Sequence, residues 1–410
     1  MALTRKTAGW VAAESTYGTD PSSGGSGYKA IPALGPFPRA VDLKAPLATE
    51  YSTGYQYPTA PISGRDGWMF EGAEVPLIGM ATAAGDGVAA SSVSDDWADI
   101  LLQSIFGTQY TTTGEGVAST GNTNITLDSP YGGPVAVQDL IPVFEAALPA
   151  SSAVRSQWCL PTVDNTGGSY TVAPQWTSNP TTAAVAYGAK IYRPNDAGGS
   201  TLAFCLLDDD LVYRCLGGRI TAASIVGEIG QITRLRFSAM GDTKTEDASA
   251  KTALPVGLAA PVTTPIKTLL SPLWFNGTQY ATRRFELNFN LAVAEVGSSA
   301  ATNGRATIQN VTMRPTLTVE FLRTDAIQNF RRNATTGRVL LQLGSGVVSG
   351  GILNGMCAHF EEANAREVSN IDADGVARHQ VVFEATDRVA FSGTTISNVV
   401  RAQYFQLARA

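Results

Sequence analysis

The side chains able to carry chemistry are few in this chain of 410 residues. His359 and His379 are the only histidines, and both fall inside strand-like segments with no second ligand at a metal-binding spacing. Cys159, Cys205, Cys215 and Cys357 form no C-x-x-C pair. Cys205 and Cys215 flank the acidic turn Asp208-Asp209-Asp210 and could face each other across a hairpin. Free thiols in half-buried strands are the expected state, because nothing else points to an oxidising compartment. The three adjacent aspartates at a hairpin tip are expected to be solvated turn residues. Gly344-Ser345-Gly346-Val347-Val348-Ser349-Gly350-Gly351 has the glycine content of a phosphate loop, but no Lys-Ser/Thr follows and no helix opens after it, so it is expected to be a flexible β-connection. Asn276-Gly277-Thr278 and Asn333-Ala334-Thr335 match glycosylation sequons, with no secretion signal beside them. No nucleophile, base and orienting group are brought together by spacing. The sequence therefore predicts no catalytic, cofactor or metal residues, and no enzyme.

The elements around these residues read as strands. Gly67 to Met80 alternates, as do Leu235 and Phe237 against Arg234, Arg236 and Ser238. Phe285–Leu291 and Thr316–Phe321 alternate without a break, which predicts sheet with one dry and one wet face. One helix is predicted from Asp95 to Phe106, with Trp97, Ile100, Leu101 and Ile105 on one face, Ser94 or Asp95 as N-cap and Gly107 as the stop. A second is predicted from Ala326 to Arg332. Further strands are predicted at Ala189–Tyr192, Thr201–Leu207, Leu211–Cys215, Arg219–Ile225, Val339–Leu343, Gly355–Glu361, His379–Ala385 and Tyr404–Leu407.

These elements occur twice in one order. An alternating strand, a short capped helix, twin strands and an aspartate run from Gly67 to Asp242 and again from Met313 to Asp387, which predicts tandem duplication of one β-rich unit. The expected organisation is an N-terminal arm over 1–40, a first unit over 41–242, a linker over 243–265 and a second unit over 266–410. Residues 111–184, rich in Thr, Gly and Ser, look like an insertion in the first unit. The arm, with Pro21 to Gly27 its plainest flexible tract, is too poor in apolar residues to bury a core alone. Trp10, Tyr17 and Tyr28 are its candidate anchors.

Charged residues make up 16% of the chain, against roughly 25% in ordinary soluble domains. Such a surface suits a subunit that covers much of its exterior with copies of itself. The net charge is −6, divided as 14 basic and 24 acidic residues over 1–250 and 15 basic and 11 acidic over 251–410. That asymmetry favours head-to-tail self-contact and opposes tight nucleic-acid binding, which needs concentrated Lys and Arg. The opening MALTRKTAGW lacks the apolar core of a signal peptide, and no run approaches the roughly 18 apolar residues of a membrane span. A cytoplasm-like solvent is expected.

Glu14-Ser15-Thr16-Tyr17-Gly18-Thr19-Asp20-Pro21 resembles the opening of tail tube proteins (major tail proteins) of long, non-contractile-tailed bacteriophages. The Asp95–Phe106 helix, the hairpin arm Leu211-Val212-Tyr213-Arg214, Cys215-Leu216-Gly217-Gly218-Arg219 and Leu235 to Asp242 follow in the family's order. A second, similar unit comes after them. The resemblance covers nearly the whole chain apart from about Thr111–Ala184.

The resemblance implies a mainly β protein with two tandem β-sandwich-like tube domains, each with a short helix, that lend strands to a large inner barrel on assembly. Rings would be homotrimers with pseudo-sixfold symmetry, stacked into a tail. The implied partners are the chain itself, a tape measure protein, tail terminator and distal tail proteins, and double-stranded genomic DNA passing non-specifically. It would be assembled in the host cytoplasm and reside in the virion tail. Four strands per unit give a 24-stranded barrel on the order of 45–50 Å across, from about 4.8 Å per strand and roughly 40° tilt. The lumen should be neutral or acidic. Trp10, Tyr17 and Tyr28 would clasp a neighbouring ring through an arm ordered only on assembly. The competing function is a virion or cell-surface β-sandwich adhesin with residues 111–184 as its receptor face.

Overall fold

The computed structural model describes residues 7–21, 27–43, 49–52, 55–58, 67–80, 82–83, 97–121, 123–127, 140–145, 157–164, 169–175, 184–194, 199–209, 211–247, 265–268, 272–297, 305–322, 325–332, 336–348, 352–373, 376–386 and 405–410. The Ser94 and Asp95 cap candidates, Asn333, Asp210 and most of the Pro21–Gly27 tract lie outside them. The fold is mainly β.

Strands β1 (Thr7–Ala13) and β2 (Lys29–Ile31) come first, then β3 (Val41–Leu43), the hairpin β4 (Thr49–Ser52) and β5 (Tyr55–Pro58), β6 (Gly67–Pro76), β7 (Thr82–Ala83) and helix α1 (Trp97–Phe106). After β8 (Gly107–Thr111) come six strands: β9 (Glu115–Thr120), β10 (Asn124–Leu127), β11 (Ile141–Glu145), β12 (Gln157–Asp164), β13 (Ser169–Ala173) and β14 (Ala184–Ala186). The chain returns through β15 (Lys190–Pro194) to β16 (Leu202–Asp208), β17 (Leu211–Glu228), β18 (Arg234–Gly241) and β19 (Thr243–Asp247). The second half holds β20 (Leu273–Phe275), β21 (Thr278–Tyr280), β22 (Thr282–Asn288), the hairpin β23 (Leu291–Gly297) and β24 (Arg305–Met313), and β25 (Thr316–Leu322). Helix α2 (Asp325–Arg332), β26 (Thr336–Val348), β27 (Ile352–Ala373), β28 (Val376–Ala385) and β29 (Phe405–Arg409) complete it.

The repeated order is visible in the pairing. In the first half β3 pairs β6, β6 pairs β18, β18 pairs β17, and β17 pairs β16 and β19. In the second half β22 pairs β25, β25 pairs β28, β28 pairs β27, and β27 pairs β26 and β29. In each half a hairpin stands between the first two strands and a helix follows the second. The two halves are joined by a strand ladder. Ser224–Glu228 of β17 lie antiparallel to Asn288–Arg284 of β22, so four strands from each half make one continuous sheet. A single hydrophobic core runs beneath both, with Phe70, Leu235 and Phe237 from one half and Phe285, Leu317 and Phe383 from the other.

Strict alternation explains that core. Val75, Leu235, Ile225, Leu287, Leu317, Phe383 and Ala365 sit side by side on seven neighbouring strands, and all are buried. Period-two patterning places every second side chain on the dry face. Helix α1 adds Trp97, Leu101, Leu102, Ile105 and Phe106 to the same core, and Gly107 ends it at φ +86°, the left-handed conformation open to glycine. Phe106 stacks on Phe405 and meets Phe289 edge-on, so the first helix touches the second half directly.

Several expected boundaries move. Thr243–Asp247, assigned to a linker, is strand β19, and Ile266 exchanges backbone hydrogen bonds with Leu77 and Thr233 of the first half. The two strands expected at Leu211–Cys215 and Arg219–Ile225 are one strand, kinked where Gly217 takes φ +66°. Gly344 to Val348 is strand, part of β26 paired back onto β27, so it is no flexible connection and no phosphate cradle.

The inserted segment folds on itself. Strands β9 to β14 close into a small barrel around Val117, Ile125, Leu127, Ile141, Val143, Cys159, Tyr170, Val172 and Ala186. Trp158 and Phe144 face outward into a second cluster with Leu340, Leu353 and Cys357, which joins this barrel to the main sheet.

Candidate assembly surface

The face of the eight-stranded sheet opposite the core presents polar residues in rows. Glu74, Arg236, Ser224, Asn288, Thr316 and Glu384 form one row across neighbouring strands. Arg234, Val226, Glu286, Thr318, Val382 and Glu367 form the next, and Glu228, Arg284, Glu320, Gln380 and Ser369 a third. Arginines and carboxylates interleave. Glu74 accepts from Arg236 Nε at 2.7 Å and lies 3.4 Å from Arg234, Arg366 meets Glu384 at 3.0 Å, and Arg283 lies 3.8 Å from Glu320. Exposed pairs of this kind contribute about 0–1 kcal/mol each, so their main effect is to neutralise the face. No stripe of arginines crosses it among the described residues.

The joint between the halves is closely packed. Gly227 lies opposite Phe285, and a Cβ there would stand 2.3 Å from the Phe285 ring. Glycine is what lets the two backbones close over an aromatic. On β27, Glu367, Val368, Ser369, Asn370 and Ile371 occupy the positions that Ser224–Glu228 hold on β17, judged by their matching partners Val382 and Val381 against Arg236 and Leu235. Those β27 residues pair with β28 on one side, and among the described residues their other edge is unpaired. At the far end of the sheet, Val41 on β3 and Leu34 beside β6 are exposed.

The three arm residues make contacts within their own chain. Strand β1 lies between β16 and β2, with Trp10 opposite Cys205 and Ala30. Trp10 and Tyr28 are buried in a small core with Ala8, Ala12, Ala203, Cys205 and Val212, while Val11 points into the main core. Tyr17 packs against Gly217. Glu14 accepts from Gly18 N (3.0 Å) and Gly217 N (2.7 Å), and burial raises its carboxyl above the usual range, with these hydrogen bonds opposing that shift. Asp20 accepts from Tyr28 Oη (3.2 Å) and pairs with Arg214 (2.9 Å). The described part of the arm is thus built into its own chain. Composition averaged over forty residues hid a short strand, Thr7–Ala13, whose small and apolar residues are buried on both faces.

The side chains that could carry chemistry are dispersed. His359 and His379 are buried on different strands. Nδ1 of His359 lies 3.0 Å from Gln406 Nε2, and its Nε2 lies 3.7 Å from Glu361. Burial, together with the positive charges of Arg338 and Arg193, holds this ring well below the usual histidine range. The unfolded chain then binds the proton more readily, so stability should fall as the pH drops below about 6.5. Urea unfolding at pH 5 and pH 7 should show that slope in the wild type and a flatter one in His359→Gln.

All four cysteines are free and buried; Cys205 lies opposite Arg214 and Cys215 opposite Phe204, and burial pushes the Cys205 thiol up to about 11. Asp208 is buried and lies 3.5 Å from Arg39, and Asp209 turns the hairpin at φ 53°. Asn276 is occupied structurally, holding Arg338 N and Thr336 O. Among the described residues no group of three or more His, Cys, Asp or Glu could hold a metal, and no helix is long and apolar enough to cross a membrane. No protein-family model matches the chain, and no curated protein matches it.

Proposed function

We propose that this chain is a self-assembling structural subunit of the tail tube type, in which copies join edge to edge into rings and the rings stack into a conduit. The observation that supports it best is the continuous eight-stranded sheet made of two equivalent four-stranded halves, with the β17–β22 joint inside and a matching edge on β27 that is unpaired among the described residues. A second copy placed on that edge repeats a joint the chain already makes. Three copies would close a sheet of about 24 strands, wide enough for duplex DNA. Closure also removes the exposed strand edges that invite unspecific pairing.

In this arrangement the polar face lines the lumen. Its interleaved arginines and carboxylates suit a channel whose contents must slide, because each unpaired cation facing a phosphate adds salt-dependent grip. The small barrel, closed on itself and anchored through Trp158, offers no sheet edge to the ring and is assigned to the outside. The resemblance supplies the biological setting: a virion tail, with a tape measure protein and then genomic DNA as the tube's contents.

Negative-stain microscopy and sedimentation velocity of the purified chain test this directly. Hollow tubes or rings of three chains are expected. Discrete monomers at all concentrations would remove the proposal and favour the adhesin function. Rings of six whole chains would remove the trimer.

A further inference from the structure

Each half of the chain carries a hairpin between its first two sheet strands, and among the described residues one of the two is seen docked. Hairpin β23–β24 of the second half lies over β17 of the first. Ile308 of β24 is fully buried there, and Arg219 on β17 donates from Nε to the Ile308 carbonyl at 2.9 Å. Hairpin β4–β5 holds the same place in the first half, and among the described residues its two strands pair with each other.

The counterpart of the β17 docking site lies on β27. Arg219 stands opposite Met240, one step beyond the Ile220–Ala239 pair. Glu362 stands one step beyond the Ala363–Ala385 pair, where Thr386 N donates to the Glu362 carbonyl at 3.0 Å. Glu362 therefore holds the position of Arg219. Where β17 has Ile308 packed over it, β27 has a cavity of about 800 Å³. Its walls include Trp274, Thr278, Arg338, Glu361 and Glu362. Arg338 is pinned to Glu361 at 2.8 Å, and its Nε is buried with no hydrogen-bond partner among the described residues.

We propose that this cavity is the socket for hairpin β4–β5 of a second copy of this chain. The proposal rests on the assembly function above and adds to it a specific occupant for a specific cavity. The same second copy whose β3 edge meets β27 would bring its β4–β5 hairpin over that strand, because β3 leads directly into β4.

The test uses the assembled full chain with the photo-crosslinking residue p-benzoylphenylalanine at Thr278, an exposed position in the cavity wall, and an equal mixture of ¹⁴N- and ¹⁵N-labelled copies. Cross-linked peptides joining position 278 to residues 49–58 with mixed isotope labels are expected. Cross-links confined to one label, or mixed-label cross-links landing elsewhere, would overturn the socket while leaving the assembly function standing. A chain that never assembles overturns both.

Discussion

Proline at Ser369 or Asn370 should abolish assembly at one of the two positions without unfolding the subunit. Successive N–H groups of an antiparallel strand point to opposite sides, so one of these residues donates toward β28 and the other outward from the sheet. Proline removes that donor and is tolerated where the N–H faces solvent. The outward variant should keep the wild-type melting temperature and lose tubes and rings. Each joint loses a ladder bond and meets a proline ring, a cost of roughly 1–3 kcal/mol, or about tenfold to a hundredfold per contact, repeated around the ring. The inward variant should lose stability, since Ser369 and Asn370 pair with Gln380 and His379. Calorimetry and negative-stain microscopy read the two effects separately. Normal tubes from both variants would show that the β27 edge is not a subunit joint.

Trp10→Ala should destabilise the isolated subunit by about 3–5 kcal/mol, the range for truncating a buried tryptophan. The indole fills the small core over Ala203, Cys205 and Val212, and its removal leaves a void between β1 and β16. A tryptophan reserved for clasping a neighbouring ring would behave oppositely, leaving the monomer's stability intact and weakening only polymerisation. Urea unfolding of the unassembled chain separates the two. For the same reason, deletion of residues 2–30 should expose the β16 edge and yield a poorly folded subunit, rather than the soluble, non-polymerising one that the arm's composition suggests. A deletion that unfolds with the wild-type midpoint would contradict this.

Much was legible in the sequence because it rests on local periodicity. Alternation in Thr316–Phe321 and around Leu235 and Phe237 specified which side chains lie on the dry face, and the structure buries Leu235, Phe237, Leu317, Val319 and Phe321. The α1 face, its Gly107 stop and the Leu202–Asp208 hairpin partner are likewise local patterns, read within ten or so residues. The doubled order of elements could be seen without any contact, since it is an order.

What no local pattern carries is pairing between distant strands. Nothing near Ser224 or near Asn288 marks them as partners, yet that single ladder turns two units into one sheet with one core. The burial of Trp10 depends on β16 lying beside it almost two hundred residues later in the chain, and Arg409 reaches back to the carbonyls of Ile78 and Gly79. The Arg338 cavity exists only because the inserted barrel stands against β26 and β27. Period and composition determine which face of a strand is dry. Which strand lies alongside it is settled by backbone hydrogen bonds between segments far apart in the chain.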